Sequence, residues 1–300
     1  MKKNKQKHSS LVAVNHTACA GCGMIVALMM AVNALGEDTI VCGATGCSEV
    51  TTTKHPESSF RVPYIHSLFE NPAPVATGVL AMLKRTKQDD VNVLVHGGDG
   101  FFFDIGMALN SGAWSRKDNI IYICYDNEAY MNTGVQSSSS TPIGAYTMTS
   151  PASTHSTGNI LHKKDLPAIA LAHDVPYVAT ATVGDLKDFV EKVKKAATIK
   201  GPKFIQIYST CTPGWNVQTC DTIKVAKLAQ ETGLYPVLEY ENGKLINVKK
   251  VPKPTPKVER FLEIQGRYRH LFKNNKGKGI IKELQRQANY NIKKFDLRYE

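Results

Sequence analysis

The chain has 300 residues, 42% hydrophobic and 21% charged, which is ordinary globular composition with material for one large core or two small ones. Its net charge of +11 is spread along the chain, without the basic–aromatic interleaving of a nucleic-acid module, and an acidic protein partner suits that charge at least as well. No apolar run reaches membrane-spanning length and the basic start Met1-Lys2-Lys3 is not followed by the apolar stretch of a secretion signal, so no membrane role and a cytoplasmic location are expected.

Residues 1–15 carry no motif and read as an arm that orders on docking. Next, His16-Thr17-Ala18-Cys19-Ala20-Gly21-Cys22-Gly23 runs directly into an apolar helix predicted over 24–34. A helix N-terminus favours the thiolate, the form in which cysteine binds metal. A strand over 39–42 leads to the turn Gly43-Ala44-Thr45-Gly46-Cys47-Ser48, which places Cys47 at a strand tip; Cys42, inside the strand, reads as a small buried hydrophobe. The stretch 51–74 is a long loop, its prolines Pro56, Pro63 and Pro72 forbidding a helix across it, and long ordered loops in compact domains are usually functional. Within it His66 could shuttle protons or simply satisfy a local hydrogen bond. A helix entered from a proline follows over 74–84.

Val91-Asn92-Val93-Leu94-Val95 reads as a buried parallel strand feeding Gly98-Asp99-Gly100, so an acidic residue lands at its C-terminal end. A helix is predicted over 105–114, then a strand over 120–125 with Asp126 and Asn127 at its tip. Two strand tips can face one crevice, where ligands of open α/β sheets bind. Asp99 and Asn127 are two of the oxygen donors magnesium prefers, and Gly98 and Gly100 let backbone N–H groups approach a diphosphate. Gly-Asp-Gly alone is equally a strand–turn with an aspartate cap; the second segment favours the metal–diphosphate reading. Beyond it, Ser137-Ser138-Ser139-Ser140-Thr141-Pro142 has no apolar face to bury, and predicts a loop lining a polar site or covered by another subunit.

A helix over 164–173, a strand over 177–181, an amphipathic helix over 183–199 and a strand over 203–208 complete the pattern, with Cys211 at the last strand's tip. The alternation predicts an α/β fold, a mostly parallel sheet with helices on both faces. A helix over 222–232, the stretch 235–248, a proline run and a terminal helical region follow. The expected division is therefore 1–220, carrying the site, and 221–300, an extension packing on it or on partner subunits.

Cys19, Cys22, Cys47 and Cys211 fall on loops that a parallel sheet gathers at one end, and four thiolates suit a tetrahedral zinc or a [4Fe–4S] cluster. One C-x2-C with two distant single cysteines favours iron–sulfur over a zinc ribbon; unrelated buried thiols are the third reading. Cys124 lies inside an apolar strand and Cys220 follows polar residues without a partner in sequence, so neither is counted.

Gly-Asp-Gly followed by Asn127 resembles the diphosphate motif of thiamine diphosphate (ThDP) enzymes. In that motif the Asp and the Asn bind magnesium, and the residue two beyond the Asn, here Ala129, adds a main-chain carbonyl. Together with His16 to Gly23, Thr45 to Thr53, Ile65 to Asn71, Tyr125 to Gly134, Cys211-x3-Trp215, Glu231 to Pro236 and Phe261 to Tyr268, it makes the chain resemble a β subunit of the 2-oxoacid:ferredoxin oxidoreductases, of the pyruvate:ferredoxin oxidoreductase type. That resemblance implies the ThDP-binding (diphosphate-domain) fold, with Gly46, Cys47, Gly98, Asp99, Gly100, Asn127, Ala129, Asn132 and Thr133 against the cofactor. It implies Mg2+ at Asp99, Asn127 and Ala129, and a [4Fe–4S] cluster on Cys19, Cys22, Cys47 and Cys211. Asn132 is the candidate contact to substrate or intermediate, against a structural turn role.

The implied reaction is oxidative decarboxylation of pyruvate with coenzyme A to acetyl-CoA and CO2, the electrons passing to ferredoxin. The implied partners are an α subunit that grips and activates the aminopyrimidine, and γ and ferredoxin-like δ subunits or a fused equivalent. The same enzyme class acting on oxalate, 2-oxoglutarate or a branched-chain 2-oxoacid is one alternative; a non-catalytic electron-transfer or assembly subunit is another, opposed by the intact Asp99 and Asn127.

Overall fold

The computed structural model describes residues 10–299. Helix α1 (Gly23–Leu35) precedes β1 (Thr39–Ala44), α2 (Cys47–Thr52), β2 (Tyr64–Ser67) and α3 (Pro72–Arg85). Strand β3 (Asn92–Gly98) is followed by a π-helical turn (Gly100–Ile105), α4 (Met107–Ser115) and β4 (Ile121–Asp126). Then come α5 (Leu166–Ala172), β5 (Tyr177–Thr182), α6 (Leu186–Thr198), β6 (Lys203–Tyr208), α7 (Thr212–Trp215) and α8 (Thr222–Glu231). A hairpin of β7 (Leu238–Glu241) and β8 (Lys244–Val248), α9 (Val258–Glu263), a 3-10 segment (Gly266–Phe272) and α10 (Asn275–Lys294) end the chain.

Among the described residues all eight strands lie in one sheet, in the order β2-β1-β3-β4-β6-β5-β7-β8, and the first six in that order are parallel. Strand β4 shows how residues choose a layer: Ile121, Ile123 and Tyr125 point into one apolar layer with α1 and α6, and Tyr122 and Cys124 into the other with α3 and α4. A strand buried on both faces has no polar alternation, and that is how Ile120 to Tyr125 reads. The helices start where sequence chemistry allows. Pro72 and Pro167 occupy first-turn positions of α3 and α5, and the carboxylates of Asp165 and Asp185 accept the N–H of Ala168 and Asp188, each cap contributing about 1 kcal/mol.

From β1 the chain moves outward to β2 and then back across to β3, so the strand order reverses between β1 and β3. That switch point opens a crevice at the strands' C-terminal ends. Several elements go beyond the sequence expectation. Helix α2 and edge strand β2 lie at the start of, and inside, the region expected as loop; at six and four residues they are too short for a periodic signal. The β7–β8 hairpin extends the sheet antiparallel, and its turn Asn242-Gly243, at φ 49° and 76°, is a strong hairpin signature that the sequence reading left as an unassigned stretch. The helix expected over 105–114 begins as the π turn at Gly100.

Candidate cofactor and metal site

All nine residues expected against the cofactor, Gly46, Cys47, Gly98, Asp99, Gly100, Asn127, Ala129, Asn132 and Thr133, line one small crevice of about 80 Å3 at the switch point. Met24, Phe69, Tyr130 and Met131 supply its apolar wall. The glycines serve by space: a Cβ on Gly46 or Gly98 would meet nothing within 4 Å, so both face open room, whereas one on Gly100 would lie 2.5 Å from the Tyr130 ring. Gly98 and Gly100 have ordinary backbone angles; only Gly46, at φ 153°, borders the region that favours glycine.

The corner formed by Asp99, Asn127 and Ala129 is suited to a cation. The inward atom of the Asn127 amide lies 2.9 Å from Ala129 O and 3.0 Å from Asp99 Oδ1. With nitrogen inward, the amide donates to both; with oxygen inward, three oxygens share a corner with no proton between them. An octahedral magnesium with ligands at about 2.0–2.1 Å has neighbouring oxygens about 2.9 Å apart. Asp99 is fully buried, and burial first, then the charge of Asp126, pushes its carboxyl well above the usual range. Ser138 Oγ donates to its second oxygen. A cation would reverse that electrostatic cost.

The loop that carries Asn127 and Ala129 is strained and braced. Glu128 sits between them in the left-handed region, at φ 66°. Its carboxylate accepts from Arg267 at 2.6 Å, Lys163 at 3.1 Å and Tyr208 at 3.2 Å, and its carbonyl accepts from Thr141 Oγ1 at 2.7 Å. Burial raises the Glu128 pKa, but Lys163 and Arg267 outweigh it and hold the carboxyl below its ordinary value. Asp126, next door, accepts from Lys163, Ser140 and Gln206. Sequence reasoning missed Lys163 and Arg267 as site residues; Lys163 carries no motif, and Arg267 was visible only as a matched residue. The serine run, expected to line a polar site or lie under another subunit, lines a polar site. Ser138, Ser140 and Thr141 are buried fasteners of this chain's own carboxylates and loop, leaving Asn132, Thr133 and Gly134 exposed.

The cysteine-bearing loops are tied to one another. Gly23 N–H donates to Thr210 O at 3.0 Å, Thr212 Oγ1 to Ala20 O at 2.8 Å and Thr17 N–H to Thr51 O at 2.8 Å, joining the C-x2-C loop to the Cys211 turn and to α2. Cys19, Cys22, Cys47 and Cys211 are close enough for their charges to act on one another. Among the described residues no group of three or more His, Cys, Asp or Glu stands at metal-holding distance, so the thiols are neighbours that have not converged on one point. The expected thiolate preference is reversed: burial raises Cys22 despite the helix N–H groups of Ile25 and Met24, takes Cys47 to about 11 and Cys211 to about 12. Four clustered thiols on glycine-rich loops remain a donor set that iron–sulfur or zinc would deprotonate on binding. Cys42 and Cys124 are buried in strands and Cys220 is exposed.

Asn132 and Cys47 line the crevice together, and the Asn132 side chain works against burial to lower the Cys47 pKa. His66 Nε2 lies 2.8 Å from Thr45 Oγ1 and 3.8 Å from Glu49, a local bonding pattern beside the crevice. No helix among the described residues is long and apolar enough to cross a membrane.

Residues 44–207 match the family described as thiamine pyrophosphate enzyme, C-terminal TPP binding domain. Over 295 residues, 98% of this chain and 99% of the relative, the sequence is 48% identical to the pyruvate synthase subunit PorB of Methanosarcina barkeri. It is 42% identical over 269 residues to the ketoisovalerate oxidoreductase subunit VorB of Pyrococcus abyssi, covering 87% of this chain and 86% of that one. Among solved structures, the 2-oxoglutarate:ferredoxin oxidoreductase of Magnetococcus marinus with 2-oxoglutarate, coenzyme A and succinyl-CoA bound aligns over 75% of this chain and 81% of its own. Its TM-score is 0.59 at 22% identity, a likeness of fold.

Proposed function

Because the chain belongs to the β subunits of pyruvate:ferredoxin oxidoreductase (pyruvate synthase), a family of multi-subunit 2-oxoacid oxidoreductases with a ThDP-binding domain, we propose that it converts pyruvate, coenzyme A and oxidised ferredoxin to acetyl-CoA, CO2 and reduced ferredoxin with its partners. The observation that carries this reading is the corner at the switch point of a parallel sheet where the Asn127 amide stands 2.9 Å from Ala129 O and 3.0 Å from Asp99 Oδ1, spacings that an octahedral magnesium would accept once the amide turns its oxygen inward.

When bound, ThDP supplies the electron sink for decarboxylation of a 2-oxoacid, and an iron–sulfur cluster supplies a one-electron acceptor beside it. The chain's own residues then have these roles. Asp99, Asn127 and the Ala129 carbonyl hold Mg2+, which neutralises the diphosphate; Gly98 and Gly46 leave room for it; Gly100, Thr133 and Cys47 border it. Asn132 orients substrate from the exposed rim, and Met24, Phe69 and Met131 exclude water. Cys19, Cys22, Cys47 and Cys211 would hold a [4Fe–4S] cluster.

The crevice of about 80 Å3 is far smaller than a pocket that encloses a whole cofactor, roughly 300–1,000 Å3. This supports a half-site completed by an α subunit; in our reading γ and ferredoxin-like δ subunits or a fused equivalent complete the enzyme, in the cytoplasm. Residues 221–300 act as an extension that braces the 1–220 unit. The 42% identity to a ketoisovalerate enzyme subunit favours a branched-chain 2-oxoacid as the second reading. In the assembled enzyme, Asp99→Ala should abolish ThDP retention and leave iron content unchanged. Normal ThDP occupancy in that variant sinks the assignment.

A further inference from the structure

Arg267 belongs to the C-terminal extension, 139 residues from Glu128 in sequence, yet it is only 4% exposed and its guanidinium reaches Glu128 Oε2 at 2.6 Å. The same guanidinium lies 4.0 Å from the centre of the Trp215 ring. Trp215 Nε1–H donates to Asn127 O at 2.8 Å, and Trp215 N–H donates to Cys211 O at 3.0 Å. One planar cation therefore touches both supports of the metal loop: the side chain of left-handed Glu128 and the indole that fixes the Asn127 carbonyl. Its position is itself fixed. Gln265 Oε1 accepts from Nε at 2.9 Å, and Gly266 packs so closely on Asn216 that a Cβ there would lie 2.6 Å away.

We propose that Arg267 is a positioning residue, a strut that holds the metal loop in its coordinating conformation and joins it to the turn carrying Cys211. The proposal rests on the reading of Asp99, Asn127 and Ala129 as the magnesium–diphosphate corner. Residues behind a metal's ligands commonly change affinity by about 10–100-fold when removed. Arginine suits the task because its plane can stack on indole while its fork donates to a carboxylate; lysine can do only the second.

The test uses the assembled enzyme, with ThDP–Mg2+ affinity measured by calorimetry and the melting temperature and iron content of the cofactor-free protein measured alongside. Arg267→Met should weaken ThDP–Mg2+ binding by about 10–100-fold. It also strands a buried carboxylate, so the double variant Glu128→Gln/Arg267→Met is the cleaner instrument: it should melt near the wild type and still bind weakly. Arg267→Lys should keep the melting temperature and recover only part of the affinity, and the exposed neighbour change Arg269→Met should alter nothing. Wild-type affinity in the double variant, or full recovery by lysine, overturns the strut. A wild-type enzyme that binds no ThDP–Mg2+ would instead remove the site reading itself.

Discussion

Replacing Gly100 with alanine tests whether the second glycine of Gly-Asp-Gly exists for close packing. The added Cβ would stand 2.5, 2.7 and 3.0 Å from three atoms of the Tyr130 ring. That ring cannot simply swing aside, because Tyr130 Oη donates to Asp104 Oδ2 at 2.9 Å and the ring packs edge-on to Phe69 at 5.8 Å. Overpacking of this kind costs about 1–3 kcal/mol, and breaking the bond to a carboxylate adds up to about 1.5–3 kcal/mol if the ring is expelled. Tyr130 directly follows Ala129, so its displacement moves the carbonyl expected on the metal. Gly100→Ala should lower the melting temperature of the assembled enzyme and weaken ThDP–Mg2+ binding at least about tenfold, the range for disturbed metal supports. Tyr130→Ala should relieve the clash, so the double variant should be more stable than the sum of the single changes predicts by at least about 1 kcal/mol. Strict additivity would refute the packing argument.

Cys19→Ser, Cys22→Ser, Cys47→Ser and Cys211→Ser should each lose iron from anaerobically purified enzyme, whereas Cys42→Ser, Cys124→Ser and Cys220→Ser should retain it; stoichiometric zinc in the wild type would support the alternative metal. Lys203, 3% exposed and bonded to Asn119 at 2.8 Å, has its pKa lowered to about 7 by burial and by the charge of Lys200. Its unfolded value near 10.4 means that the unfolded chain binds the extra proton between those values, so this group's penalty is complete below about pH 7 and vanishes above about pH 10.4. The effect of Lys203→Met on stability should therefore be more favourable at neutral pH than at pH 10.5 by up to about 4 kcal/mol, the loss of the Asn119 bond cancelling in that comparison, read by denaturant midpoints; an effect independent of pH would contradict the assignment.

The sheet was legible because each parallel strand except the short edge strand β2 is an apolar run ending in glycine or a polar tip, and those tips carry the motifs. Asp99, Asn127, Cys47 and Cys211 lie just beyond strand tips for that reason, and Cys19 and Cys22 enter α1 beside the Cys211 turn. What sequence could not supply was long-range pairing: nothing near Lys163 or Arg267 signals that they brace residues 126–128, since Lys163 reaches them from the loop before α5 and Arg267 only when the C-terminal segment folds back over α7. Thiol ionisation was misjudged for a related reason. Helix position is local and readable, but the burial that outweighs it depends on the whole fold. The serine run, with no apolar side, reads as the lining of a polar site, and Ser138 and Ser140 do donate to the buried carboxylates of Asp99 and Asp126.

The central claim, that this chain holds the magnesium and diphosphate end of the cofactor, is tested most directly by anomalous diffraction from the assembled enzyme loaded with ThDP and Mn2+ in place of Mg2+. The account predicts one manganese peak within about 2.0–2.3 Å of Asp99, the Asn127 side-chain oxygen and the Ala129 carbonyl, with the diphosphate beside Gly98. A manganese peak held by other residues, or by the partner subunit alone, would contradict it.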